Sequence, residues 1–359
     1  MRIVNHSRNM WLTMRRYYDT FLWGGRMNLK SSLIKLMEES GNDYVSGSRL
    51  ASSLSVSRSA IWKAVEGLRA EGYEVSAVTN RGYRLTSAGD VLSQMGIKRY
   101  IDSRGVFSIE VRKSVTSTNT VVRELAAKGA HEGYVLAAEE QTSGKGRLGR
   151  SFYSPAGYGA YFSLLLRPGV ESGLRQSYIG AGDAALITSA AAVATARAIE
   201  AVFNVRVGIK WVNDLMADDK KVCGILTEAS IDIESGSVDN AVLGIGINIS
   251  EPDNGYPDAI KDVAAPLIKK STGGGNQRCR LIAATLDNFW AFYTNLARRE
   301  FLEEYRERSV VTGRDIFILS GNKKTPAHAL EIDDDCRLLV RCDNGEITAL
   351  NAGEVSVRV

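Results

Sequence analysis

One stretch restricts this chain more than any other: Glu139 to Arg150, EEQTSGKGRLGR. It threads Gly144, Gly146 and Gly149 between Lys145, Arg147 and Arg150, directly after an apolar run, Tyr134 to Ala138, that reads as a strand. Glycines let the backbone approach closely and take positive φ, so successive N–H groups can point into one concavity while the cations add long-range attraction and forked donors. Such a loop suits a phosphate or a carboxylate. Its spacing also matches G-x-G-x-x-G, but the dinucleotide fold needs a helix immediately afterwards and an acidic residue about 20 positions on. The chain instead continues RSFYSPAGYGAYFSLLLRP, with Pro155 and then a strand-like run, so that fold fails on context. A P-loop fails too, because Gly146 follows Lys145 where Ser or Thr is required, and Glu139 stands at the first glycine.

The 359 residues predict two or three domains. With 45 basic and 41 acidic side chains the net charge is only +4, so nothing global demands a polyanion. Cys223, Cys279, Cys336 and Cys342 form no C-x-x-C pair, and His6, His131 and His328 are scattered. This argues against structural zinc and for reduced thiols in a cytoplasmic protein. No run of eighteen or more apolar residues is present, so no membrane span is expected. The first 26 residues carry five arginines against Asp19 and no signal-peptide core. Residues 1–27 are expected to be a disordered extension or an over-called start, with Met27 opening the more convincing frame.

Residues 28–87 predict a winged helix-turn-helix. Apolar residues from Leu29 to Met37 follow a helical period; Ser46 to Leu54 makes a short helix, Ser55 to Ser57 the turn, and Arg58 to Ala70 a second helix with Ile61, Val65 and Leu68 inward. The start of that second helix offers Ser57, Arg58, Ser59, Trp62 and Lys63 to a major groove, and the hairpin Thr79 to Leu85 offers Arg81 to a phosphate. With 8 basic and 6 acidic residues in this segment, a single copy would bind DNA weakly, whereas a dimer on two half-sites would not need a large charge excess. Protein contact is the alternative use of the same module.

Residues 88–310 read as a linker with a short helix, then strand, loop and helix, with Ser117 or Thr118 placed to cap the helix near Asn119. A strand over Val207 to Trp211 carries Lys210 into Asn213-Asp214. A turn and strand over Asp218 to Ile231 carries Lys221 and Gly224. Gly244 and Gly246 lie along a strand ending at Asn248, a spacing that marks close approach by a ligand or backbone. The alanine-rich helix Ala184 to Val202 reads as packing, and a further helix is expected over Leu281 to Phe301. No Ser/His/Asp set and no metal-ligand cluster occurs. Cations and backbone donors around an anion point to adenylation or phosphoryl transfer, where positioning and charge neutralisation supply most of the acceleration.

Five motifs stand together in order: STN (Ser117 to Asn119), GKGRLGR (Gly144 to Arg150), IKWVNDL (Ile209 to Leu215), KKVCGILTE (Lys220 to Glu228) and GIGIN (Gly244 to Asn248). In order and spacing they resemble the biotin protein ligases, and the module in front resembles the bifunctional form that also represses the biotin operon. The resemblance implies an α+β fold, with a winged helix, a class II tRNA synthetase-like mixed sheet with helices, and a carboxyl-terminal SH3-like barrel over 311–359. It implies ATP-dependent formation of biotinyl-5′-AMP and transfer of biotin to a lysine of a biotin carboxyl carrier protein, with operator DNA and a ligand-promoted homodimer as further partners.

By the same resemblance, Ser117, Thr118, Asn119, Gln141, Gly144, Leu226, Gly244 and Gly246 would form the biotin pocket, and Lys145, Gly146 and Arg147 would order over the carboxylate and phosphates. Lys221 would meet the activated carboxyl oxygens. Lys210 and Asp214 would serve ATP and Mg2+, with Arg150, Phe152, Asn213 and Asn248 completing the nucleotide site. Three positions depart from the family pattern: Lys145 stands at the usual arginine, Val212 at the usual proline, and Phe152 where some members stack tryptophan on the adenine. Two other readings fit the same motifs, a ligase for lipoate or another acyl acid, and a ligand-sensing DNA-binding regulator without catalysis.

The tail from Gly313 alternates with period two through DIFIL, AHALEI, RLLVRC, ITALN and VSVRV, with turns at Gly321-Asn322 and Asp343 to Gly345. A small β-barrel is expected there. Lys269 to Gly275 reads as a surface loop.

Overall fold

A computed structural model of the chain describes residues 29–40, 43–70, 72–87, 90–103, 105–168, 184–231, 238–269, 276–320, 323–351 and 353–357. The leader expected over 1–27, the loop expected beyond Lys269 and the turn at Gly321-Asn322 lie outside the described residues. Contacts divide the chain into two units, parted between Val91 and Leu92.

In the first unit, α1 (Leu29–Glu39), α2 (Gly47–Ser53) and α3 (Arg58–Ala70) precede a hairpin of β1 (Glu74–Val78) and β2 (Gly82–Ser87). Ser46 caps α2 by accepting from the Arg49 N–H at 3.2 Å, and Ser57 caps α3 by accepting from the Ala60 N–H at 3.2 Å. Such caps satisfy amides that the helix itself leaves open. Ile61, Ala64, Val65 and Leu68 are buried at helical spacing. Gly82 has φ +107°, and a Cβ there would lie 2.1 Å from the Val45 carbonyl oxygen, so only glycine lets the hairpin pair with Val45.

The second unit is built on a seven-stranded sheet in the order β3-β4-β5-β9-β8-β7-β6. Its strands are β3 (Ser108–Val115), β4 (Tyr134–Gln141), β5 (Gly159–Leu166), β6 (Gly208–Lys210), β7 (Asp214–Ala217), β8 (Lys220–Ile231) and β9 (Val238–Asn248). Only β3 and β4 are parallel, joined by the crossover helix α5 (Thr118–Ala127); the remaining pairs are antiparallel. A helix α4 (Gln94–Tyr100) precedes β3.

Residue alternation assigns the two faces. Val122 and Ala126 of α5 cover Leu136, Leu165 and Val242, whereas Ala137, Phe162, Leu164 and Leu243 join the main core with α6 (Ala184–Phe203) and α7 (Gln277–Tyr293). The window 185–203 of α6 is long and apolar enough to cross a bilayer, although Arg197 and Glu200 break it as a continuous apolar run. It is 67% buried within the fold and serves as a core helix.

The helix expected over Leu281 to Phe301 starts earlier, at Gln277, and ends at Tyr293. A 3-10 turn comes next, Arg299 takes φ +53°, and α8 (Leu302–Glu307) runs separately. Arg308 then ties this region together: its guanidinium donates to both oxygens of Glu200 at 2.7 and 2.8 Å and to Glu304 at 2.8 Å, while its carbonyl accepts from Ile209 at 2.7 Å.

The carboxyl-terminal strands β10 (Asp315–Ser320), β11 (Lys323–Ile332), β12 (Leu338–Cys342), β13 (Ile347–Leu350) and β14 (Glu354–Val357) form an antiparallel sheet in the order β13-β12-β11-β10-β14. Among the described residues β13 and β14 do not pair, so the sheet is open where a closed barrel was expected. The indole Nε1 of Trp211 donates to the Cys336 carbonyl at 2.9 Å and fastens this sheet to the segment before β7.

Candidate active site

The α5 face of the large sheet carries the site, and the register shows how. Ser163 pairs with Gly244 and Gly244 with Leu226; Tyr161 pairs with Gly246 and Gly246 with Gly224. These two rows lie on one face of β5, β9 and β8, and glycine in three of their places leaves a hollow. A Cβ on Gly244 would come 2.0 Å from Asn119 Oδ1, and one on Gly246 would come 2.5 Å from the Phe152 ring. The glycines of the strand are thus required by close approach of neighbouring side chains, where the spacing had pointed to a ligand or a backbone.

Over the hollow sits the first turn of α5. Ser117, Thr118 and Asn119 are buried, but the Ser117 side chain makes no cap hydrogen bond. The expected hydroxyl cap is absent; the first amide of the helix goes instead to Gln141, whose Oε1 accepts from the Thr118 N–H at 2.8 Å and its hydroxyl at 3.1 Å. Gln141 Nε2 donates to Ser154 at 2.9 Å, and Ser154 to the Phe152 carbonyl at 3.0 Å. Beneath, the Ser163 hydroxyl lies 2.6 Å from Asn119 Oδ1 and 2.7 Å from Thr118 Oγ1. Buried polar groups are paired in this way because an unpaired one costs roughly 1–3 kcal/mol.

The glycine-rich loop folds back as a narrow hairpin: Gly146 N–H donates to Arg150 O at 2.7 Å, and Phe152 N–H to Gly144 O at 2.9 Å. Its tip, Arg147–Gly149, is a 3-10 turn with Leu148 at φ +54° and 76% exposed. Arg147 donates to Asn213 Oδ1 at 3.0 Å, and Asn213 is itself held by donating to the Ile225 carbonyl at 2.8 Å. Lys221 Nζ lies 2.7 Å from Asp214 Oδ1 and 5.9 Å from the Phe152 ring centre. The Lys221 approach is off the hydrogen-bonding direction, so Asp214 Oδ1 stays a buried acceptor without a hydrogen bond.

Two adjoining compartments result. The first, a cleft of about 430 Å³, is lined by Ser117, Thr118, Asn119, Gln141, Leu226, Gly244 and Gly246 together with Lys145, Gly146, Arg147, Phe152, Asn213 and Lys221. The second, of about 590 Å³, is lined by Gly146, Arg147, Leu148, Arg150, Phe152, Lys210, Asn213, Asp214 and Lys221, with Gly353 and Val355 of the carboxyl-terminal sheet. The first is neutral and polar at its inner end; the second is cationic. Gly146, Arg147, Phe152, Asn213 and Lys221 belong to both.

Most site residues singled out in the sequence are therefore brought together. Gly144 stands just outside the linings, packed where a Cβ would meet the Phe152 carbonyl at 2.3 Å. Asn248 is buried with its amide 3.5 Å from the Lys221 carbonyl and is also outside them. Sequence reasoning missed Ser154, Ser163, Ile225, Ile245 and Glu228. Ser163 carried a signal, as the one polar residue of a strand otherwise wholly apolar or glycine and entirely buried. Among the described residues no cluster of three or more His, Cys, Asp or Glu is placed to hold a metal. A magnesium ion, which keeps several waters and needs only one or two carboxylates beside phosphate oxygens, fits the buried Asp214 acceptor.

In the first unit Ser57, Arg58, Ser59, Lys63 and Arg81 are exposed, and Trp62 is 55% exposed. The Ser57 hydroxyl also contacts Ser59 at 2.8 Å. Arg81 and Arg84 both lie over the Tyr44 ring, 4.9 and 4.6 Å from its centre.

Comparison with known proteins agrees with this geometry. The model of the biotin/lipoate A/B protein ligase family matches residues 111–248, an HTH domain model matches 30–84, and a biotin protein ligase C terminal domain model matches 312–358. The bifunctional ligase/repressor BirA of Bacillus subtilis is 33% identical over 327 residues, covering 89% of this chain and 96% of its own. Its Escherichia coli counterpart is 27% identical over 88% of this chain and 94% of its own. Among solved structures, the biotin protein ligase from Aquifex aeolicus in complex with biotin and ATP superposes with a TM-score of 0.55 at 26% identity, covering 70% of this chain and 98% of that one. With matching sequence along nearly the whole of both chains and the glycine-floored cleft in place, this chain belongs to the biotin/lipoate protein ligase family.

Proposed function

We propose that the chain activates biotin with ATP to biotinyl-5′-AMP, transfers biotin to a lysine of a biotin carboxyl carrier protein, and represses transcription through its helix-turn-helix. The observation that carries this reading is the pair of compartments sharing Arg147 and Lys221. The neutral inner end of the first compartment takes the bicyclic ring of biotin and the cationic compartment takes the nucleotide, so the two anionic reactants meet where the shared cations stand.

The biotin carboxylate attacks the α-phosphorus and pyrophosphate leaves. Two anions brought together in a water-poor site repel strongly, and Lys145, Arg147, Lys210 and Lys221 offset that repulsion. Magnesium, held by Asp214 and the phosphate oxygens, would add to the neutralisation. The loop Gly144 to Arg150 shields the mixed anhydride from hydrolysis. The unprotonated acceptor amine then attacks the acyl carbon and AMP departs. No covalent enzyme intermediate is needed.

The likeness to a ligase solved in complex with biotin and ATP supports the first step, and the likeness to proteins named ligase/repressor supports the DNA role. The carboxyl-terminal sheet is proposed to help hold nucleotide or acceptor, since Gly353 and Val355 line the cationic compartment. A ligand-promoted homodimer in the cytoplasm completes the reading. Trapping of the activated acid by hydroxylamine tests it: hydroxamate that needs both biotin and ATP is expected. Hydroxamate from lipoate instead would favour the lipoate ligase, and none from either would favour a sensor without catalysis.

A further inference from the structure

We infer that Glu228, braced by Arg123, is a positioning residue that fixes Asn119 as a hydrogen-bond acceptor at the neutral inner end of the first compartment and so selects an acid whose ring carries N–H. The inference rests on the biotin reading above.

Asn119 and Arg123 stand four residues apart on α5 and so share one face of that helix. Both reach Glu228, which pairs in register with Val242 on the same side of the sheet as the Gly244 row. Arg123 Nη1 donates to Glu228 Oε1 at 3.2 Å, and Asn119 Nδ2 donates to Glu228 Oε2 at 2.8 Å. An ionised carboxylate only accepts, so the Asn119 atom facing it is the amide nitrogen; its second contact, the Leu226 carbonyl at 3.3 Å, is also an acceptor. The amide is therefore held with Oδ1 toward Ser163 and Gly244, the lining of the cleft. Ser163 donates one proton to that oxygen, and its second lone pair remains for a ligand donor. Asn119 is only 3% exposed, which leaves water little part in orienting it. A cyclic urea offers N–H to such an oxygen; a dithiolane does not. Arg123, 48% exposed, holds the other carboxylate oxygen and keeps Glu228 from turning away.

Calorimetry with biotin and with ATP, on the full chain, tests this. Glu228→Ala is expected to weaken biotin binding about tenfold, the scale of one misdirected buried hydrogen bond, with ATP binding unchanged. Because Glu228 acts through Asn119, its effect is expected to vanish in an Asn119→Ala background. Arg123→Met and Glu228→Gln, milder changes, are expected to weaken biotin binding about two- to threefold and carry the test if Glu228→Ala does not fold. Biotin affinity unchanged in these variants, equal losses for biotin and ATP, or additive losses in the double variant would each overturn the inference. A wild-type chain that binds no biotin would overturn the functional reading itself.

Discussion

Lys221 Nζ stands 2.7 Å from Asp214 Oδ1, a cation and a carboxylate facing each other from the adjacent strands β8 and β7 at the boundary of the two compartments. The pair is two-thirds or more buried on each side, so the charge is not simply a solvated surface lysine. Removing the cation leaves Asp214 without its partner and, on the proposed function, the adenylate phosphate without compensation.

Lys221→Met is accordingly expected to slow adenylate formation by roughly 10²–10³-fold, the usual cost of one preorganised charge-stabilising group. Single-turnover formation of biotinyl-AMP measures it, and unaltered turnover would remove Lys221 from its role.

Two glycines two residues apart are expected to fail differently. Gly244→Ala drives a methyl against Asn119 Oδ1 and should weaken biotin binding while sparing ATP. Gly246→Ala meets the Phe152 ring, which lines both compartments, and should weaken both ligands. Separate titrations with biotin and ATP distinguish them, and Phe152→Ala is expected to relieve Gly246→Ala but not Gly244→Ala.

The Arg308 fork sets a dependence on pH. Its hydrogen bonds hold the Glu200 carboxyl below the usual range; burial alone would raise Glu304, but hydrogen bonds from Arg197 and Arg308 outweigh it and the net shift is downward. Carboxyls depressed in the folded state stabilise the fold above their unfolded pKa, about 4.3. That contribution is lost as pH falls through the lowered folded values. Arg308→Leu should cost about 3 kcal/mol at neutral pH, as loss of one partner from a buried ion pair does, and the cost should shrink under acid. Urea unfolding of both proteins at neutral and acid pH checks the sign.

On DNA, Arg81→Ala is expected to weaken binding across all sequences and to lower the salt slope by about 1, as for a lost phosphate contact. Trp62→Ala should alter sequence preference and leave that slope unchanged. Binding to operator and non-operator duplexes over a salt series reads both.

Much of this was legible in the sequence because short-range signals decide it. Alternation placed the strands, Gly244 and Gly246 announced a close approach, and Ser46 marked the start of α2. The features that were not legible depended on partners far along the chain. The first amide of α5 goes to Gln141, 23 residues away from Thr118. Glu228 gains its place from Asn119, 109 residues away. The apolar period of α7 continues through Leu296 and Phe301, which are buried, so the pattern gave no sign that Arg299 turns left-handed and lets α8 set off anew. The tail alternated as expected, but alternation does not say whether β13 and β14 meet.

Each functional step proposed for the chain depends on one site joining a ring-bearing carboxylic acid to ATP. Exchange of labelled pyrophosphate into ATP measures that step without any acceptor protein or DNA. Exchange is expected to require biotin, to find no support from lipoate, and to be lost in Lys221→Met. Exchange independent of biotin, or none with biotin and ATP both saturating, would contradict the joining of the two reactants at this site.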